Sequence, residues 1–287
     1  MAQEFIVAID FGTTYSGVAY IHNNGNLGDD IESIAERIKV IRSWPNNGSN
    51  DKTKTVLHYN TTNNKPLWGG QVEPHNDPQI TRFKLGLEDS VSNHYQSSEV
   101  VPQAASRIAI FRRPRQYRAK EPVDFAADYL SCLYKYMHEK FFPREFGGQG
   151  VQNQQISYVI TVPAIWSDAA KALTRTAATR ASIPNARLTL VTEPEAAALY
   201  CGTACEADLL PGDRFLICDA GGGTVVFMFY KAADLLRISF PIKSLQRTPN
   251  SPLKNVTGEP EVHGAHFGLM KNSKPSFESK WIVMRLY

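Results

Sequence analysis

Residues 5–20 read FIVAIDFGTTYSGVAY, and this stretch predicts a β-hairpin. Phe5–Ile9 is a short apolar run of the kind that forms a buried strand, and Ser16–Ile21 resumes the strand pattern after a turn. Gly12 lies in that turn and is expected to take a positive φ, which would point successive backbone N–H groups towards one place.

The polar residues of the hairpin tip suit a phosphate group. Asp10, Thr13 and Thr14 offer a carboxylate and two hydroxyls. A magnesium ion that accompanies a phosphate keeps several of its waters and takes few protein ligands, so Asp10 alone could contact it. The same turn also occurs as a plain hairpin tip, so both interpretations are open on this stretch alone.

The composition is that of a globular protein. Of the 287 residues, 43% are hydrophobic and 21% charged, and the net charge of +3 is too small to imply a nucleic-acid partner through long-range attraction. The beginning has no signal-peptide pattern and no run approaches a membrane span, so we expect a cytosolic or nuclear protein without a membrane partner. Four cysteines show no disulfide or zinc spacing and are expected to be reduced: Cys132, Cys201, Cys205 and Cys218.

The middle of the chain alternates predicted helices and strands. A helix is expected from Pro122, with Pro143 at its exit and an apolar stripe that repeats every four residues, namely Phe125, Tyr129, Leu133, Met137 and Phe141. Ile156–Val162 predicts a buried strand, and Ser167 or Asp168 can cap the helix that follows.

A second stretch repeats the pattern of the first hairpin. The apolar run Phe215–Asp219 leads through glycines to Thr224, and Val225–Phe229 is apolar again. Two tips that each combine Asp, Gly and Thr could hold the phosphates of a nucleotide and one magnesium ion from both sides of a cleft.

Four motifs together resemble the nucleotide-binding domain of the 70-kDa heat-shock protein family. They follow one another in the family's order and spacing over residues 4–224, and Trp68-Gly69 looks closest to the family's divergent eukaryotic branch. The motifs are Asp10-x-Gly-Thr-Thr-Tyr-Ser-Gly, Thr161-Val-Pro-Ala with Asp168, Glu193-Pro-Glu-Ala-Ala-Ala198 and Asp219-Ala-Gly-Gly-Gly-Thr224.

The resemblance implies an α/β protein with the actin-like ATPase fold, in which two ribonuclease H-like lobes surround a nucleotide cleft. Residues 4–205 would form a complete first lobe, with a smaller subdomain inserted at about 45–122. Residues 206–287 would be the start of a partial second lobe and an irregular tail, because the family pattern is lost after Phe229 and the tail is rich in Pro, Asn, Ser and Lys. Two interpretations are open: a natural short form that binds nucleotide weakly or binds a partner instead, and a truncated or misspliced product of a longer ATPase. The loss of the pattern favours truncation.

The resemblance also implies roles for individual residues around ATP and Mg²⁺. Asp10 and Asp219 would contact magnesium through water, and Glu193 would join them as a catalytic residue that orders the attacking water. The first phosphate loop would comprise Gly12, Thr13, Thr14 and Tyr15, and the second Gly221, Gly222, Gly223 and Thr224. Pro163 would be the switch proline that links nucleotide state to a client-binding domain, with Lys171 in place of the arginine that often accompanies it.

Three substitutions in the family pattern, together with the missing part of the second lobe, bear on ATP hydrolysis. The main members have a lysine in the region that corresponds to Gly69–Glu73, where this chain has none, and Lys65 and Lys84 lie at the wrong spacing. Val226 stands where the family usually has an aspartate, and Lys171 lacks the bidentate fork of arginine. A lost cation and a lost carboxylate should reduce turnover more than binding, because both act on charge that develops in the transition state.

Three functions compete on this sequence. The first is an ATP-binding, chaperone-type protein whose ATP hydrolysis is doubtful. The second is a non-catalytic pseudo-ATPase module that binds a partner through the basic segment Arg112–Lys120. The third is a sugar or acetate kinase of the same fold, against which the helix that begins at Glu193 argues.

Overall fold

A computed structural model describes residues 4–23, 36–59, 65–76, 78–88, 117, 119–147, 155–204, 214–220, 225–231 and 280–286. The chain divides into two compact units. One is Met1–Glu193 with Gly221–Gly223, and the other is Pro194–Ala220 with Thr224–Tyr287.

A six-stranded sheet forms the centre of the first unit. Its main path runs β3-β2-β1-β8-β9, and β4 pairs with β2 beside β3. Strand β1 is antiparallel to β2 and parallel to β8, and β8 is parallel to β9. The strands are β1 Glu4–Phe11, β2 Tyr15–Asn23, β3 Lys39–Val40, β4 Lys52–Lys54, β8 Gln155–Val162 and β9 Leu188–Thr192.

The hairpin predicted from residues 5–20 is confirmed. Alternate residues of β1 face the core, and Phe5, Val7, Ile9 and Phe11 are almost completely buried. Because side chains alternate between the two faces of a strand, this pattern places Asp10 on the opposite face from the core.

A smaller sheet follows, in the order β6-β5-β7. Its strands are β5 Val56–Tyr59, β6 Pro66–Trp68 and β7 Ile80–Thr81, with short 3₁₀ turns at Gly69–Gln71 and Leu85–Leu87. The apolar pattern of residues 37–44 predicts a longer strand than the two-residue β3 that forms.

One long helical segment packs against the sheet core. It comprises α1 Pro122–Tyr136, a π turn Met137–Phe141 and α2 Phe142–Glu145. The predicted stripe from Phe125 to Phe141 is buried as expected. The predicted exit at Pro143 is wrong, because Pro143 lies at the start of the short helix after the π turn, where a missing N–H is tolerated.

The next helix, α3 Asp168–Arg180, packs against α1. Ser167 caps it as predicted, and the Ser167 hydroxyl accepts a hydrogen bond from the Ala170 amide at 3.2 Å. After β9, helix α4 occupies Glu193–Ala204.

The second unit contains a three-stranded antiparallel sheet in the order β11-β10-β12. Its strands are β10 Arg214–Ala220, β11 Val225–Lys231 and β12 Lys280–Leu286. The first two match the predicted second hairpin. The tail was expected to be irregular, and the seven of its residues that the structure describes form a strand instead. Within the described ranges, no helix is both long and apolar enough to span a membrane.

Candidate phosphate-binding tip

The tip of the β1–β2 hairpin is held in a shape that requires glycine at residue 12. A Cβ atom on Gly12 would lie 2.0 Å from the Tyr15 carbonyl oxygen, a distance no side chain can adopt. The predicted positive φ is wrong, since Gly12 is absent from the glycines that adopt one. The tight approach of Tyr15, rather than a left-handed backbone, is what excludes a side chain.

Residues beneath the tip fix its position. The Thr55 amide donates a hydrogen bond to the Thr14 carbonyl at 2.7 Å, and the hydroxyls of Ser16 and Thr55 lie 2.8 Å apart in the buried interior. The Tyr129 hydroxyl donates to the carbonyl of Lys54 at 3.0 Å. Thr13, Thr14 and Tyr15 are thus carried by a backbone that is tied to strand β4 and helix α1.

Asp10 already has two partners. The Thr161 hydroxyl donates to Asp10 Oδ1 at 3.1 Å, and Lys52 Nζ lies 2.8 Å from Asp10 Oδ2. Thr161 follows directly on the residues of β8 that pair with β1. The side chains of Asp10 and Lys52 are 41% and 23% exposed, so this ion pair lies at the surface of the tip.

The Asp10 carboxylate in this arrangement fits an ammonium group rather than a hydrated magnesium ion. Lys52 Nζ contacts Asp10 Oδ2, and two cations repel each other at one carboxylate. Within the described ranges, no group of three or more His, Cys, Asp or Glu side chains is placed to hold a metal ion. The side chain of Asp219 lies outside the described residues.

Glu193 also has a lysine partner that the sequence did not predict. Lys84 Nζ lies 2.5 Å from Glu193 Oε1, and the Lys84 side chain is only 2% exposed. The ammonium group lies 5.7 Å from the ring centre of Phe11 and 5.4 Å from that of Trp166. Lys84 lies at the wrong spacing for the family's lysine. The fold nevertheless brings it to Glu193, the carboxylate to which the resemblance assigns a catalytic role.

The segment that carries Lys84 makes a second polar contact close by. Glu88 is 3% exposed, and its Oε2 atom accepts a hydrogen bond from the Ser167 amide at 2.6 Å. Residues 84–88 therefore contact both the beginning of α3 and the beginning of α4. Lysine and glutamate side chains are almost never fully buried unless they are paired, and both of these buried residues have a partner.

The remaining predicted site residues fall in different places. Pro163 is buried at the end of β8. Lys171 is 3.6 Å from the exposed carboxylate of Asp168, which makes a weak surface pair. Asp219 is the last residue but one of β10. The residues of the second phosphate loop, Gly221, Gly222, Gly223 and Thr224, lie outside the described residues.

A cavity of about 660 Å³ lies elsewhere in the first unit and contains none of the predicted site residues. Lys39, Arg42 and Arg144 give it a basic lining, and Glu145 contacts Tyr20. Burial and this carboxylate raise the pKa of Tyr20. Most of the basic segment Arg112–Lys120 lies outside the described residues, and Lys120 itself contacts Asp128 at 2.5 Å.

The chain is similar in sequence to known heat-shock and chaperone proteins. The chain is 29% identical to heat shock 70 kDa protein 12A of Mus musculus over 207 residues, which is 68% of this chain. It is 28% identical to a chaperone protein HscA homolog of Acinetobacter baumannii strain AYE over 227 residues, 76% of this chain. The chain is a divergent relative of the 70-kDa heat-shock proteins. The resemblance stated from the four motifs is confirmed.

The chain matches only part of each similar protein. The chain spans only 28% of the mouse heat-shock protein and 31% of the bacterial chaperone. No family model matches it. The chain is also 27% identical to heat shock 70 kDa protein 12B of Homo sapiens over 214 residues, which is 68% of this chain and 28% of that protein.

Proposed function

We propose that this relative of the 70-kDa heat-shock proteins binds ATP through the β1–β2 tip, as the nucleotide-binding part of a chaperone-type protein. One observation carries the proposal. The tip combines a turn that only Gly12 fits, the hydroxyls of Thr13 and Thr14, and a cation and a carboxylate at its base. Compact turns with backbone N–H groups and a nearby cation are suited to phosphate oxygens.

The fold of the first unit supports this assignment. Its sheet begins with an antiparallel meander and continues through two parallel strands, β8 and β9, with α1 and α3 as the crossovers. This arrangement is consistent with a ribonuclease H-like lobe, and we propose the actin-like ATPase fold for the chain. The first-lobe boundary at 205 and the inserted subdomain at about 45–122 are parts of that proposal.

ATP hydrolysis is proposed to be slow or absent. Lys84 neutralises Glu193, the residue that the resemblance assigns to the attacking water, and Gly69–Glu73 supplies no lysine for the transferring phosphate. Positioning and charge neutralisation are the main contributions that a protein makes to phosphoryl transfer. The same observation favours a second candidate, a pseudo-ATPase that binds ATP and a partner without turnover.

Magnesium enters this proposal as the counter-ion of the ATP phosphates rather than as a resident ion of the tip. A role for Asp219 and the loop Gly221–Thr224 in phosphate binding, a client polypeptide as partner, and a cytosolic or nuclear location are further parts of the proposal. The first two rest on the family resemblance, and the location rests on the sequence pattern.

Thermal unfolding with and without magnesium-ATP tests the binding. ATP at a hundredfold excess over its dissociation constant should stabilise the native protein by about 2.7 kcal/mol. Gly12→Ala should reduce this stabilisation, because the new methyl group would overlap the Tyr15 carbonyl and open the turn. Gly48→Ala is the matched control, since no atom lies within 4 Å of its new methyl group.

The outcomes separate the candidates. No stabilisation of the parent protein, with cooperative unfolding intact, would contradict ATP binding. Stabilisation with measurable phosphate release would favour the ATPase, and stabilisation without release would favour the pseudo-ATPase. Release of ADP that depends on a sugar or acetate would favour the kinase.

A further inference from the structure

We propose that Lys52 is the resident cation of the β1–β2 tip, so that the tip binds the phosphates of a nucleotide without a divalent metal ion. This inference rests on the proposed ATP binding and specifies its metal dependence. Its basis is the contact between Lys52 Nζ and Asp10 Oδ2 at 2.8 Å.

The strand register builds this contact into the sheet. Asp10 of β1 lies opposite Gly17 of β2, and Gly17 lies opposite Lys52 of β4. The three residues form one row across three strands, and the middle one has no side chain. A residue on an outer strand can therefore reach the carboxylate two strands away.

Gly17 provides the space for this reach. A Cβ atom on Gly17 would lie 3.1 Å from Cγ of Lys52 and 3.9 Å from its Cδ, so the lysine side chain passes directly over the glycine. The buried position of Gly17 and the partial burial of Lys52 limit the alternative paths for that side chain. The row thus holds the ammonium at the base of the tip.

The charge of the tip follows from this geometry. A phosphate that approaches Thr13 and Thr14 would meet the negative charge of Asp10, and like charges at close range repel each other. A metal ion commonly removes that repulsion in nucleotide sites. Here Lys52 neutralises Asp10 in the protein itself, and it excludes a second cation from the same oxygen.

The test compares the dissociation constant of ATP in excess magnesium chloride with that in EDTA, measured by calorimetry. In the parent protein, we expect the two values to agree within about threefold, which is less than 1 kcal/mol. In Lys52→Met, which keeps most of the aliphatic side chain, we expect binding in EDTA to weaken by about tenfold or more, with a smaller loss in magnesium.

Lys39→Met is the matched control. Lys39 also lies on a strand next to β2 and also pairs with a carboxylate, but its partner is Glu145 and the pair lies beside Tyr20, away from the tip. This variant should keep the metal dependence of the parent. Lys52→Arg retains the positive charge, so it should retain most of the binding in EDTA.

The outcomes for the proposed function and for this inference differ. If EDTA raises the dissociation constant of ATP for the parent protein by more than about tenfold, the role of Lys52 is overturned and the proposed ATP binding stands. The same would follow if Lys52→Met and the parent had equal affinity in EDTA. An absence of ATP binding under both conditions would overturn both proposals.

Discussion

At the scale of single residues, the tip depends on the close approach of Tyr15 to Gly12 and on the contact between Lys52 and Asp10. Asp10, Gly12 and the two threonines are adjacent in sequence, so their pattern alone shows that they share a turn. Lys84 and Glu193 are separated by 109 positions, and no local pattern relates them. Lys52 and Asp10 are likewise paired only by the strand register.

Gly12→Ala tests the close approach at the tip. The new methyl group would overlap the Tyr15 carbonyl, so the turn must open, and overpacking of this kind destabilises a protein by about 1–3 kcal/mol. We expect a lower denaturation midpoint together with weaker ATP binding. Gly48→Ala serves as a control, because Gly48 has a φ of 61° but no atom within 4 Å of a new Cβ. It should reduce stability through backbone strain and leave ATP binding unchanged.

Lys84→Met tests the buried ion pair. Loss of the ammonium leaves the Glu193 carboxylate in a largely buried place, which should cost about 3–5 kcal/mol in urea unfolding. The double variant Lys84→Met with Glu193→Gln removes both charges and should recover much of that loss. Lys120→Met breaks a pair of the same length whose side chains are about one-third exposed, so its effect should be smaller. Equal losses for Lys84→Met and the double variant would contradict an electrostatic role.

At the scale of helices and strands, periodicity predicted the positions of the main elements. The stripe from Phe125 to Phe141 follows one face of a helix, and its burial confirms that pattern. The π turn at Met137–Phe141 could not be predicted in the same way, because it shifts the hydrogen-bond ladder without changing which residues are apolar. The short β3 shows the opposite case. Only Lys39 and Val40 pair with β2, so only these two residues of the longer apolar run form a strand.

His138 in the π turn should make stability depend on pH. Burial lowers its pKa from the ordinary 6.5, and its Nε2 atom lies 2.8 Å from the Tyr158 hydroxyl. The unfolded chain therefore binds a proton more readily, so stability is complete above about pH 6.5 and decreases as the pH falls below it. Denaturation midpoints measured from about pH 7 to about pH 5 should fall less in His138→Gln than in the parent. His75→Gln, at an exposed position, should follow the parent.

Ser167→Ala tests the beginning of α3. The Ser167 hydroxyl accepts the amide of Ala170, and loss of such a cap typically costs about 1 kcal/mol. Chemical denaturation should show this loss without a change in ATP affinity. Thr176→Ala, on an exposed turn of the same helix, offers a comparison whose hydroxyl bonds only to a carbonyl within the helix. A cost for Ser167→Ala no larger than that for Thr176→Ala would contradict the capping role.

At the scale of the whole molecule, the motifs and the similar proteins agree on a relationship to the 70-kDa heat-shock proteins. The α/β character, the hairpin and the strand β8 were all predictable because each depends on residues close together in the sequence. The pairing of β12 with β10 was not, since Lys280–Leu286 lies about 60 residues beyond its partner and no local pattern relates strands so far apart.

The central claim is that ATP binds at the β1–β2 tip, and amide hydrogen exchange with and without ATP tests it most directly. The method locates the change in protection along the chain, whereas thermal unfolding reports only that a ligand binds. We predict slower exchange in the peptide that covers Gly12–Tyr15 when ATP is present, and a smaller change there in Gly12→Ala at the same ATP concentration. Unchanged exchange at Gly12–Tyr15 under saturating ATP, or slower exchange confined to another part of the chain, would contradict the account.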